Sequence, residues 1–137
     1  MISMREFSSG ATRDDDMTKP DYEGFLSPLV LEHFGQYMAE HRVQADGKLR
    51  DSDNWQKGIP RDQYLKSLWR HLVDLWRLHR QSMDQFAGLT GVVRKAVEDA
   101  LCAILFNAQG FLHEWLLGRD VGGPVVPMSF KEWSEWY

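Results

Sequence analysis

Apolar residues recur at helical spacing in three stretches of the 137-residue chain. The first opens at Ser27-Pro28, a capping serine followed by a proline at the first helical position, where the missing N–H has no helical partner to lose. Leu31, Phe34, Tyr37, Met38 and His41 follow on one face, with Glu32, Gln36 and Glu40 as the polar stripe. This pattern predicts a helix to about Arg42. The second stretch runs from Arg61 or Asp62 to about Arg80. Its apolar stripe is Leu65, Leu68, Trp69, Leu72, Leu75 and Trp76, while Ser67, His71 and Asp74 fall together on a different face. The third covers about 92–117 and stops at Gly118, the residue type that ends helices in a left-handed conformation. Over 100–105 it is apolar nearly all round, which predicts burial within the fold or beneath a partner chain.

The segments between these helices carry no periodicity. Residues 1–25 read as irregular, yet Phe7, Tyr22, Phe25 and Leu26 are more apolar than a solvated tail needs, so residues 1–26 are expected to form an arm lying on the domain. Residues 43–60 form a long connection of the kind that serves a function or is disordered. It holds Trp55 between Asn54 and Gln56 and ends in Gly58-Ile59-Pro60. Residues 81–91 read as a loop or short turn, and residues 119–137 as a Trp-rich tail with a short helix from about Ser129. No strand pattern of useful length is present. The expected class is all-α: one domain over 1–137, a bundle of three main helices with an arm and a functional loop. Three helices cover one another poorly when one is apolar all round, so completion by a homo-oligomer, dimer or tetramer, is expected.

Composition narrows the function. The formal net charge is -4, which speaks against stable nucleic-acid binding while leaving room for a local phosphate site. The single cysteine, Cys102, excludes an internal disulfide and a cysteine-built zinc site and suits a reducing, cytoplasmic setting. Mid-helix among apolar residues, it reads as inert. The first residues do not read as a signal peptide, and no apolar run is long enough to span a membrane, so no membrane partner is expected. Six tryptophans are many for this length. Trp69, Trp76 and Trp115 fall at helical positions and are expected in the core, Trp55 is the ligand candidate, and Trp133 and Trp136 suggest a subunit contact.

Candidate chemistry lies in the charged positions. Glu98 and Asp99 sit near the start of the most apolar helix. They read either as ligands of a cation, because burying an unpaired carboxylate is costly, or as solvated acids favoured by the helix dipole. His71 and Asp74, three residues apart, share a helix face and can reach one divalent cation, or Asp74 can orient the imidazole. The other reading pairs Asp74 with Arg70 or Arg77. Acids from two helices suit Mg²⁺ or Mn²⁺, which prefer oxygen ligands and serve phosphate chemistry. Lys48, Arg50, Lys57, Lys66 and Arg70 form a cationic set that suits polyphosphate or simply solubilises the loop. Asn54 and Trp55 either read and stack a base or anchor the loop in the core. Phosphate-binding glycine loops and a hydrolase nucleophile elbow are absent.

Several strings go further. Phe7-Ser-Ser-Gly-Ala-Thr-Arg-Asp14, Lys19-Pro-Asp-Tyr-Glu-Gly-Phe-Leu-Ser-Pro28, Tyr37-Met-Ala-Glu-His-Arg42, Asp46-Gly-Lys-Leu-Arg-Asp-Ser-Asp-Asn-Trp-Gln-Lys-Gly-Ile-Pro60 and Ser67-Leu-Trp-Arg-His-Leu72 stand in order along the chain. Together they resemble the phage-encoded family described as dATP/dGTP diphosphohydrolase (N-terminal domain), related to the MazG-like all-α nucleoside triphosphate pyrophosphohydrolases. The resemblance covers about 7–80. It implies cleavage of a purine deoxynucleoside triphosphate (dGTP or dATP) to the monophosphate and pyrophosphate, with Mg²⁺ or Mn²⁺ held by acids from two helices, in the host-cell cytoplasm. Carried onto this sequence, it points to Asp74, Glu98, Asp99 and His71 for metal and catalysis, and to Asn54, Trp55, Lys57, Lys66 and Arg70 for substrate. The chain departs from the wider superfamily where that carries E-x-x-E and E-x-x-D: here stand His71-x-x-Asp74 and the adjacent Glu98 and Asp99, and the true E-x-x-E is Glu132 to Glu135 in the tail. A non-catalytic nucleotide-sensing or protein-binding helical module of phage origin is the other reading.

Overall fold

The computed structural model describes residues 4–15, 18–84 and 91–119, and over these the chain is mostly helical with one small two-stranded sheet. The expected tail, with Trp133, Trp136 and the Glu132–Glu135 motif, lies outside the described residues. The chain groups into two compact units, Met1–Gly35 and Gln36–Tyr137.

The first unit opens with a hairpin where the sequence suggested an irregular arm. Strand β1 (Met4–Glu6) pairs antiparallel with β2 (Thr12–Asp14), Arg5 opposite Arg13. Gly10, at φ +83°, makes the reversal, and Phe7 and Ala11 close it through an N–H···O bond of 2.8 Å. Both strands are three residues long and exposed on both faces, so no alternation marks them in the sequence. Helix α1 (Tyr22–Phe25) follows, its first turn capped by Asp21, whose carboxylate accepts the Gly24 N–H at 2.9 Å. Helix α2 (Pro28–Glu40) starts where Ser27-Pro28 predicts: the Ser27 hydroxyl accepts the Val30 N–H at 3.2 Å. The division between the units falls inside α2.

In the second unit the long connection is ordered by short-range bonds. Val43 bridges Leu49 across a turn at Gly47 (φ +80°), and the Arg42 guanidinium donates to the Arg50 carbonyl at 2.8 Å. A single 3₁₀ turn, Asn54–Lys57, ends at Gly58. Helix α3 (Arg61–Asp84) runs past the expected break at residue 81, and helix α4 (Gly91–Leu116) runs to the expected stop. There Gly118 takes φ +62°, its N–H donates to the Trp115 carbonyl, and the Arg119 N–H reaches the Glu114 carbonyl, which is the paired bonding of a Schellman cap.

α3 and α4 pack antiparallel along a seam of small and polar residues. On α4 the positions are Ala96, Ala100, Ala103, Asn107, Gly110 and Glu114, alternating steps of four and three. On α3 they are Tyr64, Ser67, His71, Asp74 and Leu78, with the same rhythm, and these are the less exposed positions of that helix together with Arg61, Leu68 and Leu75. That spacing keeps one stripe of each helix facing the other. Tyr64 is 2% exposed, and its ring meets Phe106 edge-on at 5.9 Å between centroids and lies on Gly110, where a Cβ would collide with the phenol.

This seam corrects the expected core. Trp69 and Trp76 are 61% and 60% exposed and Trp115 46%, and Leu65 and Leu72 are exposed beside them. The all-apolar segment of α4 likewise divides, with Ala100, Cys102 and Ala103 buried and Leu101 and Leu105 open. The cause is steric: the small residues of α4 accept a close neighbour, and the groove they leave takes the polar stripe of α3 and its tyrosine rather than the Leu/Trp stripe.

Gly110→Ala separates packing from helix propensity. Propensity alone favours alanine by about 1 kcal/mol, whereas displacing the Tyr64 ring costs about 1–3 kcal/mol beyond that gain. We expect a lowered denaturant midpoint, and a raised one refutes the seam. Burial, then the negative charge of Glu114, pushes the Tyr64 phenol up to about 12, with Arg119 acting the other way. A raised folded value means that stability is intact below the ordinary value of about 10 and is lost as pH rises through about 12. Urea melts at pH 9 and pH 11 should show a loss in the natural protein that Tyr64→Phe makes smaller; an unchanged loss removes Tyr64 as its source.

Candidate functional site

One cleft of the second unit gathers most of the chemistry in the described residues. It has a volume of ≈ 510 Å³, within the range of small-ligand sites. Tyr37 and His41 enter it at the end of α2, Ala96, Asp99 and Ala100 from α4, and His71, Asp74, Arg77, Leu78 and Gln81 from α3. The seam explains this gathering: at Ala96 and Ala100 the small residues of α4 face the polar stripe of α3, and the cleft lies there.

Each acid of the cleft is matched by a cation on its own helix. Asp74 accepts from Arg77 Nη2 at 2.9 Å, and His71 Nδ1 lies 4.0 Å from its other oxygen. Asp99 accepts from Lys95 Nζ at 3.2 Å, and Lys95 also lies 3.7 Å from Glu40. The hydrogen bond to Asp99, then its charge, raises the Lys95 ammonium, with Glu40 adding to it. Burial, then the Asp99 charge, raises the Tyr37 phenol. The Tyr37 and His41 rings lie 4.0 Å apart at 32°, and His41 Nδ1 is 2.8 Å from the Tyr37 carbonyl. A carbonyl only accepts, so Nδ1 carries the proton and Nε2 is the open nitrogen of the neutral ring. Cys102, behind this wall, is buried, and burial and the charges of Asp99 and Glu98 push its thiol up, which suits an unreactive side chain.

The sequence-selected residues divide between this cleft and elsewhere. His71, Asp74 and Asp99 come together in it. Glu98 does not line it; its carboxylate accepts from Arg94 Nε at 2.9 Å. Of the two partners weighed for Asp74, Arg77 is the one bonded. Lys66 pairs with Asp62 at 3.7 Å, Lys57 with Asp51 at 3.8 Å, and Arg70 is exposed, all outside the cleft lining. Tyr37, His41, Arg77 and Gln81 were not singled out as site residues. Arg77 and Gln81 carry a readable signal, since they continue the His71/Asp74 face by one and two helical turns.

Asn54 and Trp55 belong to the other end of the helical pair. The Trp55 ring meets His113 edge-on at 4.7 Å, half-buried, and the Arg119 guanidinium donates to the Gln56 carbonyl at 2.8 Å. Arg119 is in turn held by two bonds, 2.6 and 3.0 Å, to the fully buried Glu114. This arrangement matches the loop-anchor reading of Trp55. Along α4, His113 stands 14 residues from Asp99, about 21 Å at the helical rise.

Among the described residues no three His, Cys, Asp or Glu side chains form a group able to hold a metal ion. The side chains as placed therefore do not fit a resident metal caged by protein alone. They do fit a divalent ion carried on phosphates, since Mg²⁺ commonly takes one or two carboxylates together with substrate oxygens, and Asp74 and Asp99 face one cleft. Among the described residues no helix is long and apolar enough to cross a membrane. Comparison with family models, with curated proteins and with solved structures finds no match to this chain.

Proposed function

We propose that the cleft binds a purine deoxynucleoside triphosphate, dGTP or dATP, and hydrolyses it to the monophosphate and pyrophosphate. The observation that carries the reading is that Asp74 from α3 and Asp99 from α4 line one cleft with His71, His41 and Arg77. The resemblance of residues 7–80 to the phage dATP/dGTP diphosphohydrolase family supports it, as does the polar character of the seam. On this reading the chain works in the cytoplasm of an infected cell.

Mg²⁺ or Mn²⁺, held by Asp74 and Asp99 together with the triphosphate, would supply charge neutralisation and a more acidic water. The protein supplies position. Asp74 and Asp99 present oxygens from two helices, and the His71 ring stands 4.0 Å from Asp74. Water bonds to the α-phosphorus while the bond to the bridging oxygen on the β side breaks. Pyrophosphate departs and the proton passes to solvent. Glu98, beside Asp99, the loop residues Asn54, Trp55 and Lys57, and Lys66 and Arg70 on α3 stand outside the cleft lining in the single chain. Asp99→Ala should lose at least tenfold in Mn²⁺-dependent release of pyrophosphate from dGTP; full activity in that protein removes the assignment.

The exposed stripes favour a second element of the reading. Leu65, Trp69, Leu72 and Trp76 on α3, and Leu101, Leu105, Leu112 and Leu116 on α4, are open in the single chain. Apolar faces of this length are covered in the functional protein. We propose that copies of the chain cover them, completing a three-helix bundle as a dimer or tetramer. The non-catalytic module is the reading that the same stripes favour if they instead receive another protein. Sedimentation at micromolar concentration should give an oligomeric mass that Trp69→Glu with Trp76→Glu reduces to the monomer. A monomeric natural protein that binds dGTP with Mn²⁺ but releases no pyrophosphate selects the non-catalytic module.

A further inference from the structure

Among the described residues lining the cleft, Arg77 carries the one permanent positive charge. We infer that Arg77 is an exchangeable counter-ion: it neutralises Asp74 in the free protein and turns to phosphate oxygens when a polyphosphate enters. The inference rests on the reading of the cleft as a polyphosphate site.

Three observations carry it. Arg77 and Asp74 line the same cleft, so the guanidinium needs only a change of partner, not of place. The pair is solvated, with the Arg77 side chain 66% and the Asp74 side chain 47% exposed, and solvated pairs are held weakly. The bond to Asp74 engages one Nη of a group with five N–H donors, and the fork of the remaining donors matches two phosphate oxygens. Exchange also explains how one of the two compensated acids, Asp74, can serve a divalent cation while Asp99 keeps Lys95. While Arg77 sits on Asp74, that carboxylate is already neutralised, and an incoming phosphate both draws the guanidinium away and brings a second anion. Anion and cation are then expected to bind together, each weakly alone. The cations suggested by the sequence, Lys57, Lys66 and Arg70, stand outside the lining and cannot make this exchange in place.

The test measures binding rather than turnover. Tripolyphosphate is titrated by calorimetry without metal, Mn²⁺ is titrated alone and followed by electron paramagnetic resonance, and dGTP is the second anion arm. Arg77→Gln should weaken tripolyphosphate and dGTP alike by about tenfold or more, the loss of one charge-assisted contact. It should also tighten Mn²⁺ binding, since Asp74 loses its competitor. Asp74→Asn should tighten tripolyphosphate. Arg80→Gln removes the same charge from the same helix outside the cleft lining and should leave both titrations within about twofold, on the additivity expected for a non-contacting position. If Arg77→Gln binds tripolyphosphate as the natural protein does, if Arg80→Gln reproduces its effects, or if its loss is confined to dGTP, the exchange is overturned while the cleft stands. If the natural protein binds neither anion, the cleft reading falls and the exchange with it.

Discussion

The contact between the Tyr64 ring and the bare backbone at Gly110 sets how α3 and α4 meet. A glycine inside a helix is ordinarily a loss of about 1 kcal/mol. Here it opens a place where a phenol can lie against the helix and be almost wholly buried. Once Tyr64 is seated, the rotation of α3 follows, because positions 67, 71, 74 and 78 share its face. The polar stripe must then point at α4, and the Leu/Trp stripe must point away. The cleft, the exposed tryptophans and the unused apolar faces are consequences of that rotation. The same contact leaves the Tyr64 hydroxyl buried with no hydrogen-bond partner among the described residues, so shape rather than polar bonding holds this point.

Helix positions were legible because they depend on local chemistry. Ser27 caps α2, Gly118 closes α4, and proline and glycine bracket the long connection, each a statement about a few neighbouring residues. Which face of α3 turns inward was not legible from hydrophobicity, since that face carries Ser67, His71 and Asp74. The signal was present in a different form: the run Ala96, Ala100, Ala103, Asn107, Gly110 is a heptad of small residues, and small residues invite close approach whatever their polarity. The hairpin over 4–14 was illegible for another reason. Three-residue strands open on both faces have no buried side to impress a period on the sequence.

The candidate site was half legible. His71 and Asp74 share a face by spacing alone, and that they meet Asp99 is a matter of pairing between helices, which spacing within one helix does not contain. Tyr37 and His41 join them from residues 30 or more positions away, so no window on α3 or α4 shows them. A tryptophan in a polar loop suits stacking and anchoring equally by sequence; the anchoring contacts run through the buried Glu114 and the reach of Arg119 to the Gln56 carbonyl, which no local spacing contains.

Two ion pairs at opposite ends of the helical pair show how burial sorts structure from chemistry. Glu114 with Arg119 and Asp74 with Arg77 are both carboxylate–guanidinium contacts at bonding distance. The first carboxylate is 1% exposed, so removing its partner strands a buried charge at a cost of about 3–5 kcal/mol, and the contact is permanent. The second is half open, worth about 0–1 kcal/mol, and can be exchanged for another ligand within the energy of ordinary binding. The buried pair fixes a loop; the open pair leaves a carboxylate and a guanidinium within reach of an incoming anion and its metal. The permanent contact stands at the Trp55 end of the helical pair and the solvated one at the end where Asp74 and Asp99 share a cleft, so burial alone makes the second the place where a change of partner costs least.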